Sequence, residues 1–271
     1  MTSVLLASDL DRTLIHPTRT FPPEWEGEAR VVEIYDGRGI TMASHAALAD
    51  LEALTAAGAF VPVTTRSRAQ LERITAIWEL GTEWAICANG ASVMRRGVED
   101  PDWTAEVARQ LHASAPLDEA RTLFEAEIGA PERVDWMPLL RDCDERFLYS
   151  TLDLARIPPD LAAAAQSAMA TIGWRAVLHG RKLYVLPHEL CKGHAVRWLR
   201  DRLQVETVVG AGDSLLDVDL MAAADVAWVP ADAELVDLGA VPSTARVTAE
   251  RHVRAGAQIA AETLALLPAR A

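Results

Sequence analysis

"VLLASDLDRTLI", residues 4–15, is the stretch on which the fold of this chain turns. Mostly apolar residues of strand length run into Asp9 and Asp11, which are spaced by one leucine. Thr13 and more apolar residues follow. Two carboxylates facing one way beside a buried strand repel each other, and unpaired charge is costly to bury. In an open parallel sheet, ligands collect at the carboxyl ends of the strands, and Asp9 and Asp11 stand at such an end.

A second acidic strand end lies in "VVGAGDSLLDVD", residues 208–219. Asp213 ends the strand, and Asp217 lies one turn into the next helix on the same side. Acids delivered by two strands to one sheet edge make a hard-oxygen cation site suited to Mg²⁺, which would cancel the repulsion between the aspartates. Taken singly, D-x-D-x-T is also a plain acidic turn, and the acids of "GDSLLD" are also helix caps. Two further signals fall between the clusters. "VPVTTRS" (61–67) puts Thr64 and Thr65 at a strand end, with backbone N–H groups opening a helix. "LCKGHAV" (190–196) puts Lys192 at the start of a helix, where the dipole disfavours a cation and a task neutralising an anion would explain it. A helix cap and a solvated lysine are the plainer readings of these two.

Working outward, "RVVEIYDGRGITMAS" (30–44) alternates around Asp36-Gly37 as a hairpin does. "SHAALADLEALTAAGA" (44–59) is a helix capped by Ser44 and ended by Gly58. "FVPVTT" is a strand, "SRAQLERITAIWEL" (67–80) a second helix and "WAICANG" a third strand. That succession implies parallel strands with crossover helices. Between 91 and 187 the period changes to helices near 104–113, 117–128 and 158–173, with strands at 146–154 and two more in "WRAVLHGRKLYVLP" (174–187). The first pattern then resumes with a helix at 191–203, a strand at 205–212, a helix at 214–224, a strand at 225–230 and a last helix over 251–267. The fold class expected is α/β: a Rossmann-like parallel core with helices on both faces, made of 1–88 and 188–271, plus an inserted α+β cap domain at 89–187.

At this point the chain resembles the haloacid dehalogenase-like superfamily of phosphotransferases. "DLDRTL" (9–14) is similar to its first motif, "VTTR" (63–66) to its second, Lys192 in "CKGHAV" to its third and "GDSLLD" (212–217) to its fourth, all in family order. The long insert is similar to the cap of the Cof-type and sucrose-phosphatase-like branch, as is "CANGA" (87–91), where Asn89 and Gly90 would face the substrate. The resemblance implies that Asp9 is the nucleophile that becomes an aspartyl-phosphate, and that Asp11 is the acid and then the base. It implies that Thr64 and Lys192 hold the phosphate oxygens, and that Asp9, the Asp11 carbonyl and Asp213 bind Mg²⁺ while Asp217 orients the metal shell. Two positions depart from the pattern: Leu216 stands where this branch usually has Asn, and Thr65 where motif two usually has Gly.

Other residues complete the candidate set. Arg66 could meet substrate phosphate or pair with a nearby acid. Arg181 and Lys182, beside His179 in an alternating hairpin, could read the leaving group or form an exposed basic turn. Trp103, Trp136 and Trp174 are expected in the core. The formal net charge of −13 argues against nucleic-acid or anionic-membrane partners, and it requires local positive charge if the substrate is anionic. Three cysteines without metal-ligand spacing read as reduced thiols of a cytoplasmic protein. No signal peptide or membrane-spanning run is expected. The function expected is Mg²⁺-dependent hydrolysis of a small phosphorylated metabolite, sugar phosphate first. A phosphomutase and a non-catalytic phosphate-binding regulator are the alternatives.

Overall fold

The computed structural model describes residues 3–268. Its centre is a five-stranded, all-parallel sheet in the order Ala245–Val247, Val226–Val229, Thr207–Ala211, Val4–Ser8, Phe60–Pro62. A parallel bridge from Val63 to Ile86 brings the strand Trp84–Cys87 alongside. All five residues of Val4–Ser8 are buried, as expected of a sheet flanked by helices on both faces, whose strands read as continuous apolar runs rather than alternating ones. The helix His45–Ala56 starts where expected: the Ser44 hydroxyl accepts from the backbone N–H groups of Ala46 and Ala47.

The hairpin after the first aspartates is formed by Ala29–Tyr35 and Arg38–Ser44. Its two turn residues, Asp36 (φ 50°) and Gly37 (φ 70°), both sit in the left-handed region that two-residue hairpins favour. The edge-to-edge alternation fails at one place. Register shifts flank Glu33, so that Val32 and Glu33 are both buried although they are consecutive. This hairpin also corrects an expected element. The helix expected over 67–80 is two short ones, Arg68–Glu72 and Thr75–Glu79, because the backbone of Ile74 (ψ 78°) leaves helical geometry and bridges to Glu33. Likewise the helix expected over 214–224 opens as a tight turn at Leu215–Asp217 before the helix Val218–Ala222.

The chain divides into two compact units, one running up to Trp103 and resuming at Cys191, the other Thr104–Leu190. The joints lie further along than the expected 88/89 and 187/188. After Asn89-Gly90 the strand Ser92–Arg95 turns back to pair with Trp84–Cys87, and Trp103 Nε1 donates to the Gly90 carbonyl 3.0 Å away. At the second joint, the His188 N–H and the Leu190 carbonyl bond to Gly173 and Arg175 of the second unit. That unit is a four-stranded antiparallel sheet, in the order Trp174–His179, Lys182–Pro187, Phe147–Thr151, Arg141–Cys143. Helices Leu117–Glu127 and Leu161–Ala170 accompany it. Its core holds Phe124, Phe147, Met169, Trp136 and Trp174, so these tryptophans pack inside, as does Trp103 in the first unit. No helix among the described residues is long and apolar enough to cross a membrane. The three cysteines are buried and form no disulfide.

Candidate active site

The first and fourth motifs meet because their strands are neighbours. Val4–Ser8 pairs in parallel with Thr207–Ala211, and the Asp9 N–H donates to the Ala211 carbonyl at 2.8 Å. Both acids therefore leave the same sheet edge. Lys192, the first residue of the helix Lys192–Leu203, is buried between them. Its Nζ lies 2.6 Å from Asp9 Oδ1 and 2.6 Å from Asp217 Oδ1. The helix dipole disfavours an ammonium at that end, so the two carboxylates are what hold it there. The other oxygen of Asp217 is also engaged, accepting from the backbone N–H of Asp213 and from the N–H and hydroxyl of Ser214. Two glycines permit this closeness. A Cβ on Gly212 would lie 2.2 Å from Asp217 Cβ; one on Gly90, whose φ is +96°, would lie 2.5 Å from the Cys191 carbonyl oxygen just before Lys192.

Charge in this cluster does not balance. Asp9, Asp213 and Asp217 offer oxygens within 4.8 Å of one another, all buried, against the single ammonium of Lys192. Burial, with Asp217 and Asp11 adding repulsion, pushes Asp9 up to about 7 in spite of Lys192. Asp213 is raised well above the usual carboxylate range by burial and by its acidic neighbours. Burial works against the Lys192 ammonium, but Asp217 and Asp9 outweigh it and raise the group. Asp213 Oδ2 is buried and has no hydrogen-bond partner. An orphaned carboxylate oxygen beside two further carboxylates is what a hard divalent cation would satisfy, so the residues fit Mg²⁺.

Asp11 is turned elsewhere. Its carboxylate is half exposed and is gripped by Arg66, with Nε 2.7 Å from Oδ2 and NH2 2.8 Å from Oδ1. Of the two readings open to Arg66, the structure has it paired with an acid. Thr64 is buried, and its hydroxyl accepts the Arg66 N–H at 3.1 Å; Thr65 follows, half-buried. The Asn89 turn is tied to this loop, since the N–H groups of Ala88 and Asn89 donate to the carbonyls of Arg66 and Thr64. Asn89 is buried with φ 57°. Leu216 is buried too, so an apolar side chain fills the position where the branch the motifs resemble carries Asn. Arg181 and Lys182 belong to the second unit. They stand at the turn between its two long strands, and Arg181 lines an open groove of about 600 Å³ with Asp135, Thr151 and Asp153.

Two residues near the site were missed in the sequence. Thr13 is buried, and its hydroxyl donates to Asp9 Oδ2 at 3.4 Å; its place in D-x-D-x-T was the available signal. Glu33, buried on the hairpin, gave none, because a charged residue in an alternating strand reads as an exposed one.

Residues 152–246 match the family model described as sucrose-6F-phosphate phosphohydrolase. Among solved structures, the chain is similar to the sucrose-phosphatase from Synechocystis sp. PCC6803, crystallised with sucrose and phosphate. They are 19% identical over 97% of this chain and 98% of that one, with a TM-score of 0.67. The fold is a haloacid dehalogenase-like one. Its similarity extends to a Thermoplasma acidophilum protein at 14% identity, over 96% of this chain and 98% of that one, with a TM-score of 0.62. It extends also to a phosphatase of the haloalkanoate (HAD) enzyme superfamily from Bacteroides thetaiotaomicron at 16% identity, over 97% of this chain and 96% of that one, with a TM-score of 0.55. No curated protein matches the sequence. The parallel sheet and the convergence of the four motifs on one edge are the features of this haloacid dehalogenase-like fold that bear on chemistry.

Proposed function

We propose that this haloacid dehalogenase-like chain is a Mg²⁺-dependent phosphatase that hydrolyses a small phosphorylated metabolite, a sugar phosphate first, through an aspartyl-phosphate on Asp9. One observation carries the reading: the buried Asp9–Lys192–Asp217 bridge beside Asp213, with its uncompensated negative charge and orphaned oxygen. The match to sucrose-6F-phosphate phosphohydrolase supports the sugar phosphate.

In this reading the Asp9 carboxylate oxygen that does not bond Lys192 attacks phosphorus, and the bond from phosphorus to the ester oxygen breaks. Asp11 gives its proton to that leaving oxygen. In the second half Asp11 takes a proton from water, the water oxygen attacks phosphorus, and the bond to Asp9 breaks to release inorganic phosphate. Lys192 and Thr64 hold the phosphoryl oxygens, so charge that spreads over them in the transition state meets a fixed ammonium in a dry site. Mg²⁺ bound by Asp9, Asp213 and the Asp11 carbonyl, with Asp217 behind them, would neutralise excess negative charge among the carboxylates and the phosphate. An assay of phosphate release across a panel of sugar phosphates and nucleotides, with and without Mg²⁺, tests the reading; release from none of them overturns it.

Removal of the metal is expected to abolish turnover reversibly. Dialysis against excess chelator should stop phosphate release and added Mg²⁺ should restore it. Ca²⁺, with longer bonds and a higher coordination number, should occupy the same oxygens without supporting turnover. Full activity in excess chelator after dialysis would rule the metal out.

Selectivity is proposed to rest with the second unit, on Arg181 and Lys182, since an anionic substrate approaching so acidic a chain needs local positive charge. Arg181→Ala combined with Lys182→Ala is expected to lower kcat/KM on the best substrate at least ~10-fold, about 1.4 kcal/mol. Unchanged kcat/KM with the fold intact would make this an ordinary solvated turn.

A further inference from the structure

We propose that Glu33, on the hairpin that follows the first motif, is a positioning residue: it holds Arg66 in the orientation in which the guanidinium grips both oxygens of Asp11. The inference rests on the phosphatase reading above for the task given to Asp11, and on geometry alone for the clamp. Glu33 has a fully buried side chain. Its Oε2 accepts from Arg66 NH1 at 2.8 Å and from the Thr41 hydroxyl at 3.3 Å, and its Oε1 accepts from Arg73 Nε at 3.1 Å. Arg66 therefore spans two acids, with Nε and NH2 on Asp11 and NH1 on Glu33.

Burying a carboxylate is unfavourable unless it is fully paired. An ordinary alternating strand would have spared the chain that cost by placing position 33 opposite buried Val32. The two register shifts around Glu33 instead turn it inward, as bulges beside functional sites re-aim side chains. The same residue bridges to Ile74 and breaks the helix expected there. The backbone is thus distorted on both sides to deliver one carboxylate to Arg66. A guanidinium held by a single acid can swing about it; one held at both ends has a fixed plane, and its bidentate partner Asp11 is fixed with it. Misplacing a proton-transfer group by about 1 Å can cost on the order of 10²-fold in rate, which is the scale on which the clamp would be felt.

Two measurements test this. Kinetics of Glu33→Gln should give kcat reduced at least ~10-fold with KM within about threefold of wild type, and Glu33→Asp, which keeps the charge but withdraws it by one methylene, an intermediate kcat. Arg73→Ala, which removes only the outer partner of Glu33, should keep kcat within about twofold, whereas a Glu33 that merely anchors the hairpin would lose stability and not kcat in all three. The second measurement needs no turnover: in crystal structures without substrate, the Arg66 guanidinium should leave its two-point contact with Asp11 in the Glu33 variants. Arg66 still gripping Asp11 in them, or wild-type kcat in a folded variant, overturns the proposal. If Glu33→Gln does not fold, Glu33→Asp decides on the same two criteria. A wild-type enzyme that released no phosphate from any substrate would overturn the phosphatase reading, and the crystal comparison would still decide whether Glu33 sets Arg66 on Asp11.

Discussion

Asp9→Asn is expected to lower turnover at least ~10⁴-fold, about 5.5 kcal/mol of transition-state stabilisation. The substitution keeps the shape of the side chain and replaces a carboxylate oxygen by an amide nitrogen. Asp9 touches both Lys192, through Oδ1, and the Thr13 hydroxyl, through Oδ2. An amide in that place neither attacks phosphorus nor carries a phosphoryl group, so no covalent route remains. The fold should survive, because asparagine can still accept from Lys192 and because removing one of three crowded carboxylates relieves repulsion. Steady-state rates with circular dichroism as the folding control decide it. A variant that keeps a tenth of the wild-type activity rules out the aspartyl-phosphate.

Lys192→Met should fail in two ways at once. Losing the ammonium leaves Asp9 and Asp217 buried without their shared partner, and breaking a buried ion pair from one side costs about 3–5 kcal/mol of stability. Turnover should fall at least ~10³-fold, on the scale that loss of one buried electrostatic donor to a transition state produces. The two losses are separable. Adding Asp217→Asn to Lys192→Met removes one of the stranded carboxylates, so denaturant unfolding should recover part of the lost stability while activity stays absent. Equal stability of wild type and Lys192→Met would mean that the bridge is not the structural centre of this edge. Activity restored in the double variant would mean that Lys192 serves the fold alone.

Much of this was legible in the sequence. The apolar run before Asp9 and the Gly-Ala-Gly before Asp213 announce buried strands ending in acids. The alternation of strands and helices announces parallel pairing, and parallel pairing puts strand ends on one edge. The motifs are local chemistry on regular elements, so pattern alone put Asp9 and Asp213 on one edge, whereas Thr64 and Lys192 were joined to them only by the resemblance. Ser44 as a cap and Asp36-Gly37 as a turn were legible for the same reason: each depends on the backbone within a few residues.

What only the tertiary structure decided is wherever two distant segments compete for one position. The helix expected over 67–80 is sound by its own periodicity, yet it breaks at Ile74 because Glu33, about forty residues earlier in the chain, bridges to it. Glu33 itself reads as an exposed strand residue until a bulge turns it inward, and Arg66 reads equally as a phosphate ligand or the partner of an acid until Asp11 and Glu33 are both seen to hold it. Which carboxylates crowd together was also undecided. Spacing put Asp11 among them, whereas its side chain goes to Arg66 and the close cluster is Asp9, Asp213 and Asp217. The physical reason is common to all three cases. A local pattern records a residue's preference for a backbone shape or a face, whereas the partner of a charged side chain is chosen by distances across the fold, and a buried charge cannot be left without one.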